Sequence, residues 1–167
     1  MEIKQIPHLK DEIITELFGT LPDGTEIFTY RLTNRNGMEL QLMDYGATVT
    51  AIKVPLANGE LVDVVLGFDS LEKYIASFDL PAAPYFGATV GRYAGRINQG
   101  VFNLNGKSIQ LNKNNNQHSL HGGKNGYSQV VWNAETHQGF EGSSITFGYL
   151  SRNKEEFFPG NLEIKVT

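Results

Sequence analysis

Tight turns that separate short alternating segments constrain the fold of this sequence more than any other feature. Proline pre-sets one backbone torsion of a turn, and glycine accepts the positive φ that other residues avoid. Turn sequences of this kind stand at residues 21–24, 34–37, 58–59 and 105–106. Residues 26–33 alternate with a period near two, which is typical of a β-strand. The sequence therefore predicts successive antiparallel hairpins.

The predicted elements are almost all short strands. They cover residues 13–17, 26–33, 38–43, 47–54, 61–66, 101–104, 108–111, 130–135, 143–150 and 162–167. One short helix is predicted over 70–75, with Ser70 as its N-cap. Residues 1–12 are predicted to be an irregular lead-in, and the polar run 112–118 a loop. We therefore expect an all-β fold in which antiparallel sheets pack as a β-sandwich.

The composition excludes several classes of function. The formal net charge is -4 and no basic run exists, so we expect no nucleic-acid partner. The chain has no cysteine, which excludes disulfides, cysteine-based zinc sites and thiol nucleophiles. No apolar run is long enough to cross a bilayer, and no secretory signal is recognisable. We therefore expect no membrane partner and a cytoplasmic location.

Two arginines stand in the glycine-rich segment 87–98. Its glycines recur at every fourth position, which does not match a dinucleotide-binding fingerprint. A guanidinium offers five donors in a fixed fork and can bond the ring and hydroxyl oxygens of a sugar. Arg92 and Arg96 are therefore candidate binding residues, although either taken alone fits a structural ion pair or a bond to loop carbonyls better.

His118 and His121 form a second cluster, and Gly122 and Gly123 follow it. Two histidines with no third ligand nearby are too few for a metal site, so no metal is expected. The glycine pair permits a close approach of the backbone to another group, which favours His121 as a pocket residue.

The sequence indicates no nucleophile and no working carboxylate pair. A G-x-S-x-G elbow is absent. Glu155 and Glu156 are adjacent, so they are not expected to converge on one substrate. We predict that they lie in a solvated loop.

Several ordered segments together resemble the aldose 1-epimerase (galactose mutarotase) family. They are DYGAT (44–48), VVLGFD (64–69), GRYAGRI (91–97), FNLNGK (102–107), LNKN (111–114), SLHGG (119–123), GY (126–127), VW (131–132) and EFFPG (156–160). The resemblance implies a large antiparallel sandwich of the galactose mutarotase type, here truncated, with an open sugar cleft. It also implies interconversion of the α and β anomers of galactose or glucose by acid–base ring opening, with no cofactor.

The resemblance assigns sugar contacts to Arg96 and His121. Gly95 belongs to the same substrate-binding set, but the family often has Asn there, so one side-chain contact is expected to be missing. No catalytic residue is expected in the chain, because the acid His and base Glu of the family would lie beyond Thr167. Residues 1–167 are therefore expected to be the N-terminal portion of one sandwich domain, ending mid-sheet and inactive alone.

Three alternatives stay open beside this hypothesis. The chain could be a carbohydrate-binding module that lacks catalysis. It could be a structural half that pairs with another chain, or that self-associates through an open C-terminal edge strand. A related enzyme acting on hexose 6-phosphates ranks lower, because no extra basic cluster is present to hold a phosphate.

Overall fold

The computed structural model describes residues 12–139 and 142–167, and residues 1–11 of the predicted lead-in lie outside this range. A five-stranded antiparallel sheet in the order β1-β2-β3-β4-β5 forms the first half of the described chain. Its strands are β1 (Glu12–Thr20), β2 (Glu26–Thr33), β3 (Glu39–Met43), β4 (Thr48–Pro55) and β5 (Leu61–Asp63). Every predicted strand of this region is present.

Turn chemistry sets the ends of these strands. The Asn34 side chain accepts hydrogen bonds from the backbone N–H groups of Asn36 and Met38, which closes the hairpin between β2 and β3. β5 is shorter than the predicted 61–66, because Asp63 Oδ1 accepts bonds from the N–H groups of Ile52 and Val65. The carboxylate takes the place of a strand partner there, and the ladder ends.

The one α-helix of the described residues, α1 (Leu71–Ser77), covers one face of this sheet. Ser70 is its N-cap, as predicted, and its hydroxyl accepts a bond from Lys73 N–H. Leu71 and Tyr74 are buried on the sheet, against Ile27, Met43 and Tyr45. The helix fixes the sheet from the side opposite to the second sheet.

A three-stranded antiparallel sheet packs on the other face. It consists of β10 (Asn133–Gly139), β11 (Gly142–Ser151) and β12 (Leu162–Val166), in that order. The buried residues between the two sheets are Leu42, Ala47, Tyr127, Trp132, Ile145 and Phe147. Two antiparallel sheets that share an apolar core confirm the predicted β-sandwich.

β10 begins three residues later than the predicted strand 130–135. Residues 130–132 bond instead to the bend after β3: Gly46 N–H donates to the Val130 carbonyl, and Trp132 N–H donates to the Asp44 carbonyl. This short contact links the two sheets directly and starts the second sheet only at Asn133.

Two small ribbons carry the glycine- and asparagine-rich part of the chain. β7 (Val101–Leu104) pairs with β8 (Lys107–Gln110) as the predicted hairpin, and β6 (Arg96–Ile97) pairs with β9 (Ser119–Leu120). The β6–β9 ribbon was not predicted, since two residues show no period.

β12 lies at the edge of the second sheet among the described residues. Ile164 and Val166 face the core, while Glu163 and Lys165 alternate with them and are exposed. Charged outward-facing side chains are a common protection of an edge strand. No helix in 12–139 or 142–167 has the length and apolar character needed to span a membrane.

Candidate functional site

Arg92 has a structural role. Its Nε donates to Ser151 Oγ (2.8 Å) and its Nη2 to the carbonyls of Ser151 and Arg152 (2.9 Å each), while Nη1 donates to the Pro159 carbonyl (3.1 Å). The guanidinium carbon also lies 5.7 Å from the ring centre of Phe158. The structural interpretation of this arginine, a bond to loop carbonyls, is confirmed.

Arg96 occupies a more open position at the start of β6. Its Nε donates to Asn115 Oδ1 (3.0 Å), and the residue is exposed. It lines a cleft of about 540 Å³ whose walls include Tyr93, Phe102 and Leu104. His121 is not part of that lining. A guanidinium beside an apolar, partly aromatic wall is a fitting environment for a polyhydroxylated ring, which has one apolar face.

The pairing of β6 with β9 brings Gly95 and His121 together. His121 N–H donates to the Gly95 carbonyl (3.0 Å), and Gly95 N–H donates to Nδ1 of the His121 ring (3.1 Å). Because Nδ1 accepts this bond, the neutral ring carries its proton on Nε2. The edge of the ring packs on Tyr85, with ring centres 4.8 Å apart. The Nε2–H group is therefore held in a defined direction.

Burial lowers the pKa of His121 below its ordinary value of 6.5, and the nearby positive charge of Arg96 lowers it further. The ring is thus neutral at pH 7. Among the described residues, the hydrogen bonds of His121 go to Gly95, and none goes to a carboxylate. The geometry suits a hydrogen bond to a hydroxyl and supplies no acidic partner for proton relay.

Gly95 acts through its backbone. Its φ of +96° lies in the region that favours glycine, and a Cβ placed there would have only Tyr93 Cε1 in reach, at 3.9 Å. The glycine is therefore needed for its torsion and not for lack of space. Its N–H and C=O both bond His121, and its place in the substrate-binding set stays a prediction.

The glycine pair after His121 approaches the protein itself. A Cβ on Gly122 would clash with the Gly91 carbonyl, and a Cβ on Gly123 would clash with the Glu156 carboxylate. The inference from these glycines to a ligand pocket was therefore wrong. They let the loop that carries His121 pack against two other segments.

The predicted solvated loop at Glu155 and Glu156 is also wrong, because both residues are partly buried. Glu155 accepts hydrogen bonds from Tyr149 Oη and Arg152 N–H, each at 3.1 Å. The Glu156 carboxylate accepts bonds from the Lys124 and Asn125 N–H groups and from the side chain of Asn112.

Asn114 also holds the His121 loop, and sequence reasoning gave it no role. Its Nδ2 donates to the carbonyls of Leu120 (2.9 Å) and Gly123 (2.6 Å), and its Oδ1 accepts from Leu120 N–H (2.7 Å). The one available signal was its place in the segment 111–114 that resembles the family.

His118 is separate from this arrangement. Its Nδ1 accepts a bond from Gln99 N–H at 3.2 Å, so it supports the chain before β7. Within residues 12–139 and 142–167, no three His, Cys, Asp or Glu side chains lie close enough together to hold a metal ion.

Comparison with known proteins decides the family. The sequence profile of the aldose 1-epimerase family matches residues 29–167. The chain belongs to this family. The segments from DYGAT (44–48) to EFFPG (156–160) are therefore a family signature.

Curated members of the family are similar over most of this chain. Galactose mutarotase of Sus scrofa is 36% identical over 155 residues, which are 93% of this chain and 43% of that protein. Aldose 1-epimerase of Haemophilus influenzae is 40% identical over 147 residues, with 87% and 40% covered. The chain therefore spans less than half the length of the curated relatives it matches.

Solved structures show the same fold. Galactose 1-epimerase from Lactobacillus acidophilus superposes with a TM-score of 0.78 at 24% identity, covering 93% of this chain and 43% of that one. An aldose epimerase homologue from C. elegans gives 0.69 at 30% identity, with 81% and 39% covered. The galactose mutarotase-type sandwich is thus confirmed as the fold.

Proposed function

We propose that these residues provide the sugar-holding part of an aldose 1-epimerase that acts on galactose or glucose. The observation that carries the proposal is that Gly95 and His121 bond each other from two segments of the family signature. Arg96 follows Gly95 directly, and its charge is near enough to lower the pKa of His121. The permanently charged Arg96 donates to ring or hydroxyl oxygens, and the neutral His121 donates through Nε2.

Ring opening needs two further groups. One must remove the proton of the anomeric hydroxyl while another protonates the ring oxygen. Among the described residues, the hydrogen bonds of His121 go to Gly95 and none to a carboxylate. The Glu155 carboxylate is bonded by Tyr149 and Arg152, and the Glu156 carboxylate is bonded by the loop at Lys124 and Asn125. We therefore propose that this chain holds the sugar and does not by itself interconvert its anomers.

Polarimetry tests the catalytic part of the proposal. Fresh α-galactose or α-glucose is followed with and without the purified chain, and we expect the same rate of equilibration in both. A clear acceleration that His121→Gln abolishes would contradict the proposed division between holding and chemistry.

Calorimetric or NMR titration with galactose and glucose tests the binding part. We expect saturable binding that Arg96→Ala and His121→Gln each weaken by about tenfold or more, the loss typical of one or two hydrogen bonds to a charged or buried group. The matched control is His118→Gln, whose ring supports Gln99 outside the ribbon. Absence of binding by the unaltered chain would remove the sugar-holding role.

The domain assignment is part of the same proposal. We infer that residues 1–167 form one portion of a larger sandwich, because the chain covers 43% of a solved chain that it matches over 93% of its own length. Self-association through β12 and the cytoplasmic location stay predictions. Light scattering checks the first: a strict monomer at all concentrations would exclude it.

A further inference from the structure

We propose that Glu156 is a positioning residue for His121. The inference rests on the proposed role of His121 as a sugar contact, and it assigns Glu156 the task of fixing the backbone from which that histidine projects. The two residues do not touch. The contact runs through the loop 122–125, which follows His121 directly.

The Glu156 carboxylate binds this loop with both oxygens. Oε2 accepts from Lys124 N–H at 2.9 Å and Oε1 accepts from Asn125 N–H at 3.0 Å. Asn112 Nδ2 donates to Oε2 at 3.0 Å and fixes the carboxylate from the other side. Two adjacent backbone donors that share one carboxylate are strongly restrained, because bonds to a charged acceptor are stronger than neutral ones.

The approach is possible only because Gly123 has no side chain. A Cβ at this position would clash with the Glu156 carboxylate. Gly123 also has a φ of +124°, a torsion that few other residues adopt. The glycine and the glutamate are therefore complementary, although they lie far apart in sequence.

His121 itself needs such support. Its φ is +51°, in the left-handed region that a non-glycine residue adopts at some cost. Asn114 holds the loop by bonding the carbonyls of Leu120 and Gly123, but Asn114 belongs to the same local segment. Glu156 lies in the turn between β11 and β12, so its carboxylate ties the loop to the second sheet.

Arg92 holds the turn that carries Glu156. It bonds the carbonyls of Ser151, Arg152 and Pro159, the residues on either side of the Glu156 turn. Glu156 has a left-handed φ of +47°. The turn thus holds a strained conformation on a fixed base, and it presents the carboxylate to the His121 loop.

The test compares Glu156→Gln with Glu155→Gln in the full chain. Glutamine keeps one acceptor oxygen but turns an NH₂ group toward a backbone donor, so one of the two loop bonds must be lost. Glu155 has the same side chain and a neighbouring position, but it bonds Tyr149 and Arg152 and not the loop. It is therefore the matched control.

Two measurements report the position of His121 and of the loop that carries it, and neither needs a sugar. NMR titration of the ring gives its pKa, and hydrogen exchange follows the N–H groups of Gly95, Lys124 and Asn125. In Glu156→Gln we expect the His121 pKa to rise toward the ordinary value of 6.5, because a released ring is more solvated and farther from Arg96. We expect exchange at these three amides to accelerate by about tenfold, the effect of one lost charged bond.

Glu155→Gln should leave both measurements unchanged. An unchanged His121 pKa and unchanged exchange in folded Glu156→Gln would overturn the proposal, as would equal effects in both variants. If Glu156→Gln fails to fold, Asn112→Ala decides, since it removes one donor from the carboxylate without altering Glu156. It should give the same changes at a few-fold smaller size, and no change would overturn the proposal.

Galactose titration separates this inference from the proposed function. If the unaltered chain binds galactose, Glu156→Gln should weaken that binding by about fivefold or more while Glu155→Gln does not. If the unaltered chain binds no sugar, the proposed function fails. The ring pKa and the exchange rates still decide whether Glu156 positions His121.

Discussion

Arg92 and Arg96 lie four residues apart in one segment, yet their surroundings differ in kind. The region of Arg92 is packed against the loops 122–127 and 151–159, and its guanidinium donors go to Ser151, Arg152 and Pro159. Both arginines line the same cleft, but Arg96 is exposed and its guanidinium has one bond, to Asn115. Equal residue types in one motif thus differ in bonding: Arg92 holds loop carbonyls of the fold, whereas Arg96 keeps donors that we propose bind the sugar.

Gly122 and Gly95 also differ in how closely other atoms approach them. Gly122 is crowded by the backbone at Gly91, whereas Gly95 has open space beside it. A substitution in the packed region therefore meets both strain and collision. A substitution in the open region meets strain alone, and stability measurements can separate the two.

Gly122→Ala should give the largest effect. The new Cβ would collide with the Gly91 carbonyl, and φ is +91°, so we expect a loss of about 4 kcal/mol in the free energy of unfolding or failure to fold. Gly106→Ala is the control, because Gly106 has a similar φ of +77° but no atom within 4 Å of its Cβ position. Urea denaturation should show a loss of about 1 kcal/mol there. Equal losses in both would mean that crowding does not distinguish the packed region.

Arg92→Ala should give the second largest loss of stability. It leaves three loop carbonyls without their donors, and we expect a loss of about 3 kcal/mol in the free energy of unfolding. Arg96→Ala, compared by the same denaturation, should cost less than about 1 kcal/mol. It should also raise the pKa of His121, since the guanidinium charge lowers it. A larger loss of stability in Arg96→Ala than in Arg92→Ala would contradict the structural role of Arg92.

Asp44→Asn tests a second buried part of the chain, the bend after β3, through pH. Asp44 is 5% exposed, and burial raises its pKa to about 6 although its Oδ1 accepts a bond from Phe28 N–H. The folded state thus binds the proton more tightly than the unfolded chain, so this group stabilises the fold at low pH. That stability is lost as the pH rises from about 4 to about 6, by up to about 3 kcal/mol.

Asparagine at this position keeps the acceptor and removes the charge. Both proteins are denatured at about pH 4.5 and about pH 7.5. The difference between them gives the contribution of Asp44 to the free energy of unfolding, because all other carboxylates are common to both. The variant should gain stability relative to the unaltered chain as the pH rises. A constant difference would show that Asp44 is not buried as a charged group.

Gly95→Asn should give the smallest effect on stability. Asparagine tolerates a left-handed backbone better than other non-glycine residues, and space is open, so the cost should stay below about 1 kcal/mol. Its amide would add the side-chain contact that the family resemblance indicates is missing here. Galactose titration should show binding at least as tight as in the unaltered chain; weaker binding would show that the backbone of Gly95 no longer holds His121.

The sandwich was predictable because its signals are local. The Asn-Gly pairs, the alternation of residues 26–33 and the Ser70 cap each act within a few residues, and each appears in the structure as expected. The start of β10 was not predictable, since Val130–Trp132 has strand composition and is diverted by bonds to the distant bend at Asp44 and Gly46.

The candidate site was only partly accessible to sequence reasoning. The sequence predicted Arg96, Gly95 and His121. The structure bonds Gly95 to His121 and places Arg96 beside Gly95, while their sugar contacts stay a prediction. Asn114 and Glu156 were missed because their value depends on which backbone groups they meet 6 to 32 positions away. The adjacent pair Glu155 and Glu156 gives no local signal that Glu156 has a left-handed backbone. It also does not indicate that the Glu156 carboxylate bonds the distant loop at Lys124.

The distance between Glu156 and the loop that it binds also sets an order of events during synthesis. Lys124 and Asn125 are translated 32 and 31 residues before their acceptor. These two bonds therefore form only after the later turn has left the ribosome. On our proposal, the surface that holds the sugar is completed late, although its own residues are made early.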